Sequence, residues 1–306
     1  MIQDPKKERQ ENVSGSSNKI YTEEVKVTGE RYTSKDFMEK ELSKLWSKVW
    51  NIGGWSRELE NQGDFVIHHI GRESILMVKE KNNTVKAYHN VCPHRGNRLV
   101  HVDSGHVKEF TCTYHGWKFN YSGDLIYAQD EEDFPQGNPC GKVKLSEIPC
   151  EEYAGFIWYN MDKNCFPLKG FLGEVTKYID MFDNDGLKRV YHKVCEVPFN
   201  WKALRDNFCE SYHLPSTHPQ INDYYDDDYK NTDFELYETG HNLMKMKGSL
   251  PSLRNTELFK VNEKLEAELI YWNLNPKDFE GKAHLVRESL QSQKKKIGKD
   301  KGFEHF

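Results

Sequence analysis

Residues 92–115 read CPHRGNRLVHVDSGHVKEFTCTYH, two short clusters that each bring one cysteine and one histidine. Cys92 and His94 form the first, Cys112 and His115 the second, with 17 residues between His94 and Cys112. Two thiolates and two imidazoles at this spacing are a metal-site pattern, because soft sulfur and borderline nitrogen suit zinc or iron–sulfur centres. A structural zinc site more often groups like ligands, Cys-x₂₋₄-Cys followed by a histidine pair. Here each loop supplies one of each. That division suits a [2Fe–2S] centre with two thiolates on one iron and two imidazoles on the other. Spacing alone leaves zinc open.

Composition narrows what such a site serves. The chain has 306 residues, enough for two modest domains or one large one, and a net charge of −5. Its pI near 6.2 gives no basic field of the kind that attracts nucleic acid. No apolar run approaches the ~18 residues that suggest a membrane span. Seven cysteines, an odd number, are scattered without a disulfide framework, and the polar start MIQDPKKERQENVSGSSNK has no apolar signal region. Reduced thiols in the cytoplasm are expected, behind a flexible tail over 1–20.

Working outward from the motif, a helix is expected over 33–49, capped by Thr33 or Ser34, with Met38, Leu42, Leu45, Trp46 and Val49 at helical spacing. DFVIHHI (64–70), ESILMVKE (73–80), TVKAYHN (84–90) and YAGFIWYN (153–160) read as short strands, so 50–160 is expected to be a small all-β domain. FLGEVTKYIDMF (171–182) reads as helix and RVYHKVCEVPF (189–199) as strand. A long polar helix over 277–297, stopping at Gly298, is expected to present Lys294–Lys296 to solvent. His89, His101 and His106 read as surface or hydrogen-bonding residues.

Pro93 and Gly96 shape the first loop, and Tyr114, Gly116 and Trp117 the second. With these flanks, C-P-H-R-G followed by C-x-Y-H-G-W on a β scaffold resembles the Rieske family, whose cluster carries one electron at potentials of about −150 to +300 mV. A carrier that does no bond chemistry itself needs a second redox site.

NWKALRDNFCESYHLPSTHP (200–219) supplies a candidate. Asn200 is placed to cap a helix with Trp201, Leu204, Phe208 and Tyr212 along one face. His213 and His218 lie five apart, and a helix break at Pro215 would let them converge. Two histidines and a carboxylate make the facial triad of non-haem Fe(II) oxygenases, with positions left for O₂. The pattern His-x₄-His alone is weak, but N-W-K…D-N-F-x-E-x-Y-H-x₄-H-P resembles the iron segment of Rieske oxygenase large subunits.

That resemblance implies an α+β fold. It comprises a helical segment at 21–49 packing on the catalytic domain, a Rieske domain at 50–160 and a catalytic domain at 161–306. It implies a [2Fe–2S] cluster on Cys92, His94, Cys112 and His115, and mononuclear Fe(II) on His213 and His218. The third ligand, an Asp, would fall beyond Phe306, as if the chain were a C-terminally shortened version of a longer enzyme. Glu210 would be the carboxylate bridging His213 to His115 of a neighbouring subunit, and Asp206 and Asn207 would support the iron pocket. Glu at 210 resembles the branch acting on quaternary amines more than the ring hydroxylases. The partners implied are an NAD(P)H-dependent reductase, with or without a ferredoxin, O₂ and a small organic substrate. The assembly implied is a trimer, with or without an accessory β subunit. The acidic, tyrosine-rich stretch QINDYYDDDYKNTDFELYE (220–238) reads as a solvated loop, with a cation site as the alternative. Competing readings are a Rieske electron carrier without oxygenase activity and a zinc-binding interaction module.

Overall fold

The computed structural model describes residues 26–182, 184–228, 231–255 and 257–302. The tail expected over 1–20 lies outside them. The chain is α+β, with short helices and antiparallel sheets, and groups into two units. One is Gly29–Glu196; the other is Val197–Phe306 together with Met1–Thr28.

The first unit opens with helices rather than one helix: Glu30–Thr33, then Lys35–Glu41, which runs into a wide π turn over Leu42–Trp46. Ser34 is the cap, its hydroxyl accepting from the Phe37 amide at 3.3 Å. The strands follow as β1 (Asn51–Trp55), β2 (Asp64–Ile70), β3 (Glu73–Lys79), β4 (Val85–His89), β5 (Ser104–His106), β6 (Phe110–Thr111), β7 (Lys118–Phe119), β8 (Leu125–Tyr127), β9 (Glu147–Ile148), β10 (Cys150–Tyr153) and β11 (Phe156–Tyr159). They form three antiparallel sheets ordered β5-β2-β3-β4-β9, β6-β7-β8 and β1-β11-β10.

β3 explains why ESILMVK lacks the alternation of a half-buried strand. Leu76 and Val78 face a core with Phe65, Tyr88, Phe110 and Phe119, while Ile75 and Met77 face a second core with Val66, Ala87, Ile157 and Tyr159. Successive side chains point to opposite faces, so a strand sandwiched between two cores must be apolar throughout. The turn from β2 to β3 requires Gly71. Its φ is +57°, and a Cβ there would stand 2.4 Å from Leu42 Cδ2. Arg72 at the same turn pairs with Glu39 at 2.5 Å, bracing the N-terminal helices to this hairpin.

Two further expectations fail, one over residues 189–199 and one at the C-terminal helix. Residues 189–199 form no strand: Val190 and Val194 are 96% and 80% exposed. A strand is defined by a hydrogen-bonding neighbour, and among the described residues none pairs with this segment, so its apolar alternation has nothing to rest on. The long C-terminal helix is broken into a 3₁₀ turn (Pro276–Phe279), another (Ala283–Leu285) and the helix Val286–Asp300. Gly281, at φ +69°, turns the chain between them. The helix then passes through Gly298, which is buried, rather than stopping there. Lys294 is no solvated lysine: its ammonium pairs with Glu268 at 2.7 Å over the Trp272 ring.

The second unit also holds the helix Trp201–Asn207, the single turn Leu214–Thr217, β12 (Tyr225–Asp226) paired with β15 (Lys247–Gly248), and the hairpin of β13 (Asp233–Leu236) with β14 (Asn242–Lys245). Its core packs Leu265 and Leu269 of the helix Glu263–Tyr271 against Ala283, Val286 and Leu290. Each pair sits at i, i+4 on its helix, and each buried Leu contributes about 1.5–3 kcal/mol.

Candidate metal centres

The two cluster loops share one backbone design. In each, the cysteine amide donates to the carbonyl five residues on, Cys92 to Asn97 and Cys112 to Trp117, both at 2.8 Å. In each, the glycine four residues on donates back to the cysteine carbonyl at 2.9 Å, Gly96 to Cys92 and Gly116 to Cys112. Both glycines have left-handed φ, +73° and +71°, which a side chain would strain. The histidine comes second in one loop and third in the other, so two matching turns present unlike ligand positions.

Each sulfur sits against the amides of the second and third residues of its own loop, His94 and Arg95 for Cys92, Tyr114 and His115 for Cys112. Both thiols are buried, at 1% and 2% exposure, and they touch each other. Burial and the neighbouring Cys112 sulfur push Cys92 up to about 11. Burial also works against ionisation of Cys112, but the two amides, Cys92 and Asn97 bring it below the ordinary thiol value. The imidazoles of His94 and His115 have centroids 4.6 Å apart. His94 stacks flat on Trp117 at 4.5 Å and 6°, and Tyr114 lies 3.9 Å from His115. Burial, then the nearby His115 and Arg95, hold His94 below the usual imidazole range, in the neutral form that ligates metals.

The fit to a [2Fe–2S] group rests on two observations. Sulfur lies with sulfur and imidazole with imidazole, the segregation a dinuclear centre requires and a single tetrahedral zinc does not. His94 Nδ1 is buried with no hydrogen-bond partner, which costs free energy unless a metal takes the lone pair. Of the other histidines, His106 pairs with Asp64 at 2.8 Å and His89 with Glu73 at 3.3 Å.

The second site is built differently from what a proline break would give. The helix ends at Asn207, well before Pro215, and Pro215 instead opens the turn Leu214–Thr217, where its missing N–H costs nothing. His213 is the N-cap of that turn and His218 its C-cap. One helical turn thus brings residues five apart to a ring separation of 5.5 Å, at 78°. Glu210 grips His213 twice, by Oε1 to the ring Nδ1 at 2.5 Å and by Oε2 from the backbone amide at 3.1 Å. Burial would raise this carboxyl, but the His213 hydrogen bonds hold it below the usual range. The ring's Nε2 is left for a metal, its orientation set by a carboxylate behind it.

Asp206 and Asn207 are exposed at the helix end, Asp206 3.7 Å from Arg205. Among the described residues no three His, Cys, Asp or Glu side chains are arranged to hold one ion, so two imidazoles stand here without a third ligand. The acidic stretch is not a solvated loop. Asp226 and Asp227 are buried; Asn231 donates to Asp226, and Ser252 and Arg254 donate to Asp227. Ser211, between Glu210 and His213 in the chain, is also buried and donates to the Asp227 carbonyl at 3.2 Å. Neither Ser211 nor Asn97 belongs to a motif that would single it out from sequence. For Asn97 the available signal was position, since it matches Trp117 in the twin loop.

Comparison with known proteins agrees with this geometry. Residues 49–139 match the Rieske [2Fe-2S] domain, and residues 184–280 match the ring hydroxylating alpha subunit catalytic domain. The carnitine monooxygenase oxygenase subunit of Escherichia coli (strain K12) is 34% identical over 194 residues, 63% of this chain and 52% of that protein. The biphenyl 2,3-dioxygenase alpha subunit of Rhodococcus jostii (strain RHA1) is 31% identical over 61% of this chain and 42% of its own. The chain thus spans about half the length of the curated relatives it matches. Among solved structures, a quaternary ammonium Rieske monooxygenase in complex with gamma-butyrobetaine aligns with TM-score 0.60 at 25% identity, over 88% of this chain and 85% of that one. Naphthalene 1,2-dioxygenase with indole bound aligns with TM-score 0.55 at 30% identity, over 61% and 43%. No described helix is long and apolar enough to cross a membrane. The chain thus carries a Rieske domain followed in order by a match to the ring-hydroxylating alpha-subunit catalytic domain, and over those residues it is similar to the large subunits of Rieske non-haem iron oxygenases.

Proposed function

We propose that this chain acts as, or within, the large subunit of an oxygenase that draws electrons from an NAD(P)H-dependent reductase and hydroxylates a small organic molecule with O₂. Cys92, His94, Cys112 and His115 would hold the [2Fe–2S] cluster, and His213 and His218 the mononuclear iron. The functional division would be 50–160 for the cluster domain and 161–306 for the catalytic part, flanked by the helical segment 21–49. When bound, the cluster supplies one-electron storage and the iron an open position for O₂. The buried orphan nitrogen of His94 is the observation that carries this reading.

The chain's own residues have definable work. The two loop amides at each cysteine point toward its sulfur and favour the thiolate that a metal would bind; at Cys112 they prevail over burial, and at Cys92 burial prevails until a metal displaces the proton. Glu210 fixes the His213 tautomer and would reach, through its exposed side, a histidine of an adjoining copy in a cyclic trimer. A quaternary amine is the favoured substrate class, on the Glu at 210 and the carnitine monooxygenase relative. The buried Asp226 and Asp227 add nothing to that preference, because their oxygens are engaged inside the unit.

The test is spectroscopic. The purified protein should contain inorganic sulfide, absorb in the visible, and show a reduced-state electron paramagnetic resonance signal below g = 2 on average. Zinc without sulfide would overturn the assignment. NADH consumption coupled to loss of a betaine-type substrate, in the presence of a reductase, would then separate an oxygenase from an electron carrier.

A further inference from the structure

The matching loops hide one asymmetry at their fifth residue. In the second loop that residue is Trp117, which reaches across to stack on His94. In the first it is Asn97, which reaches across to the other loop's sulfur: Asn97 Nδ2 lies 3.8 Å from Cys112 Sγ. Each loop therefore uses the same position to touch a ligand of its twin, one with an aromatic face and one with an N–H.

The orientation of the Asn97 amide is fixed by its surroundings. Nδ2 lies 2.9 Å from the Arg98 carbonyl and 3.3 Å from Thr113 Oγ1. Turning the amide over would set oxygen against the Arg98 carbonyl oxygen. With one N–H held by Arg98, the other points toward Thr113 and the sulfur of Cys112. The sulfur is buried, so this donor acts at low dielectric, where a hydrogen bond to a charged acceptor is strong.

We infer that Asn97 sets the reduction potential of the centre held by Cys92, His94, Cys112 and His115, by donating an N–H to Cys112 Sγ. This rests on the reading of that site as a [2Fe–2S] cluster. Reduction adds one electron, supplied in the assay by dithionite and in use by the reductase, and part of its charge falls on the cysteinyl sulfurs. A donor to sulfur stabilises the more negative state and raises the potential. Asn97 is a positioning and tuning residue; it is not a ligand.

Asn97→Leu keeps the volume and removes the donor. In a mediated redox titration of the full chain with its cluster, this variant should keep wild-type iron, sulfide and visible absorbance. Its reduced-to-oxidised ratio at a fixed potential should fall roughly threefold to tenfold, tenfold being 59 mV for one electron. Asn97→Asp, which puts a carboxylate where the donor was, should fall further. An Asn97→Leu protein with full cluster content and an unmoved potential overturns the inference while leaving the cluster assignment intact. A wild-type protein without sulfide overturns both. Should Asn97→Leu lose its cluster, the wild type decides: with side-chain ¹⁵N-asparagine, the reduced cluster should show a weak ¹⁵N coupling by pulsed electron paramagnetic resonance. Absence of that coupling also overturns the inference.

Discussion

The cluster loops and the histidine segment solve the same problem, aiming two imidazoles, with unequal resources. Around Cys92 and Cys112 the chain closes each turn with two backbone hydrogen bonds and sets both on a core that includes Phe65, Leu76, Phe110 and Phe119. Around His213 and His218 the support is a single helical turn, Glu210 and Ser211, while Phe208 and Tyr212 beside them are exposed, Tyr212 to 89%. The first region is preorganised by its own packing. The second is positioned by a few polar contacts, so its geometry is easier to lose.

That contrast predicts a ranking of effects. The largest belongs to Cys112→Ser, which removes a buried sulfur ligand and should abolish the visible chromophore, with iron and sulfide analysis as the measurement. His218→Ala should come next. It should strip mononuclear iron while the chromophore persists, and equal loss of both signals would mean that the two regions are not independent. Glu210→Gln should weaken mononuclear iron by roughly 10–100-fold, the usual cost of losing a ligand's carboxylate support, read by iron titration at constant cluster absorbance. The lowered Glu210 carboxyl gives the pH dependence a sign. Its contribution to holding His213 is present above the ordinary Glu value of 4.5 and fades as pH falls through the lower folded value. The Glu210-dependent part of the iron affinity should therefore fade below about pH 4.5, on top of proton competition at the two imidazoles, and Glu210→Gln should lack that added step.

The same contrast governs what could be seen in the sequence. The strands β2, β3 and β4 and the meeting of the two cysteine–histidine loops were legible because motif and periodicity are local properties, each readable within a few residues. The strand expected over 189–199 was not, because a strand exists only through its neighbour, and apolar alternation carries no information on whether one is present. Pro215 is ambiguous in the sequence for a related reason: proline both ends and begins helices, and the sequence does not say on which side of it the turn will lie. The acidic stretch looked solvated because Asp is seldom buried. Its partners, Ser252 and Arg254, lie more than twenty residues away and become visible only when the chain folds.

The smallest expected effect tests how the weaker region is held. Ser211 is buried, and its hydroxyl ties the His213 loop to the carbonyl of Asp227, whose carboxylate is in turn held by Arg254 and Ser252. Ser211→Ala removes one neutral hydrogen bond and leaves a buried carbonyl with one partner fewer, a cost of about 1 kcal/mol. Denaturant unfolding should show a shift of that size, with the cluster chromophore untouched. If the loop is positioned through this contact, mononuclear iron should also bind more weakly in Ser211→Ala, and Ser211→Thr, which keeps the hydroxyl, should restore part of it. A loss of stability with unaltered iron affinity would instead confine Ser211 to packing, and would leave Glu210 as the contact that aims His213.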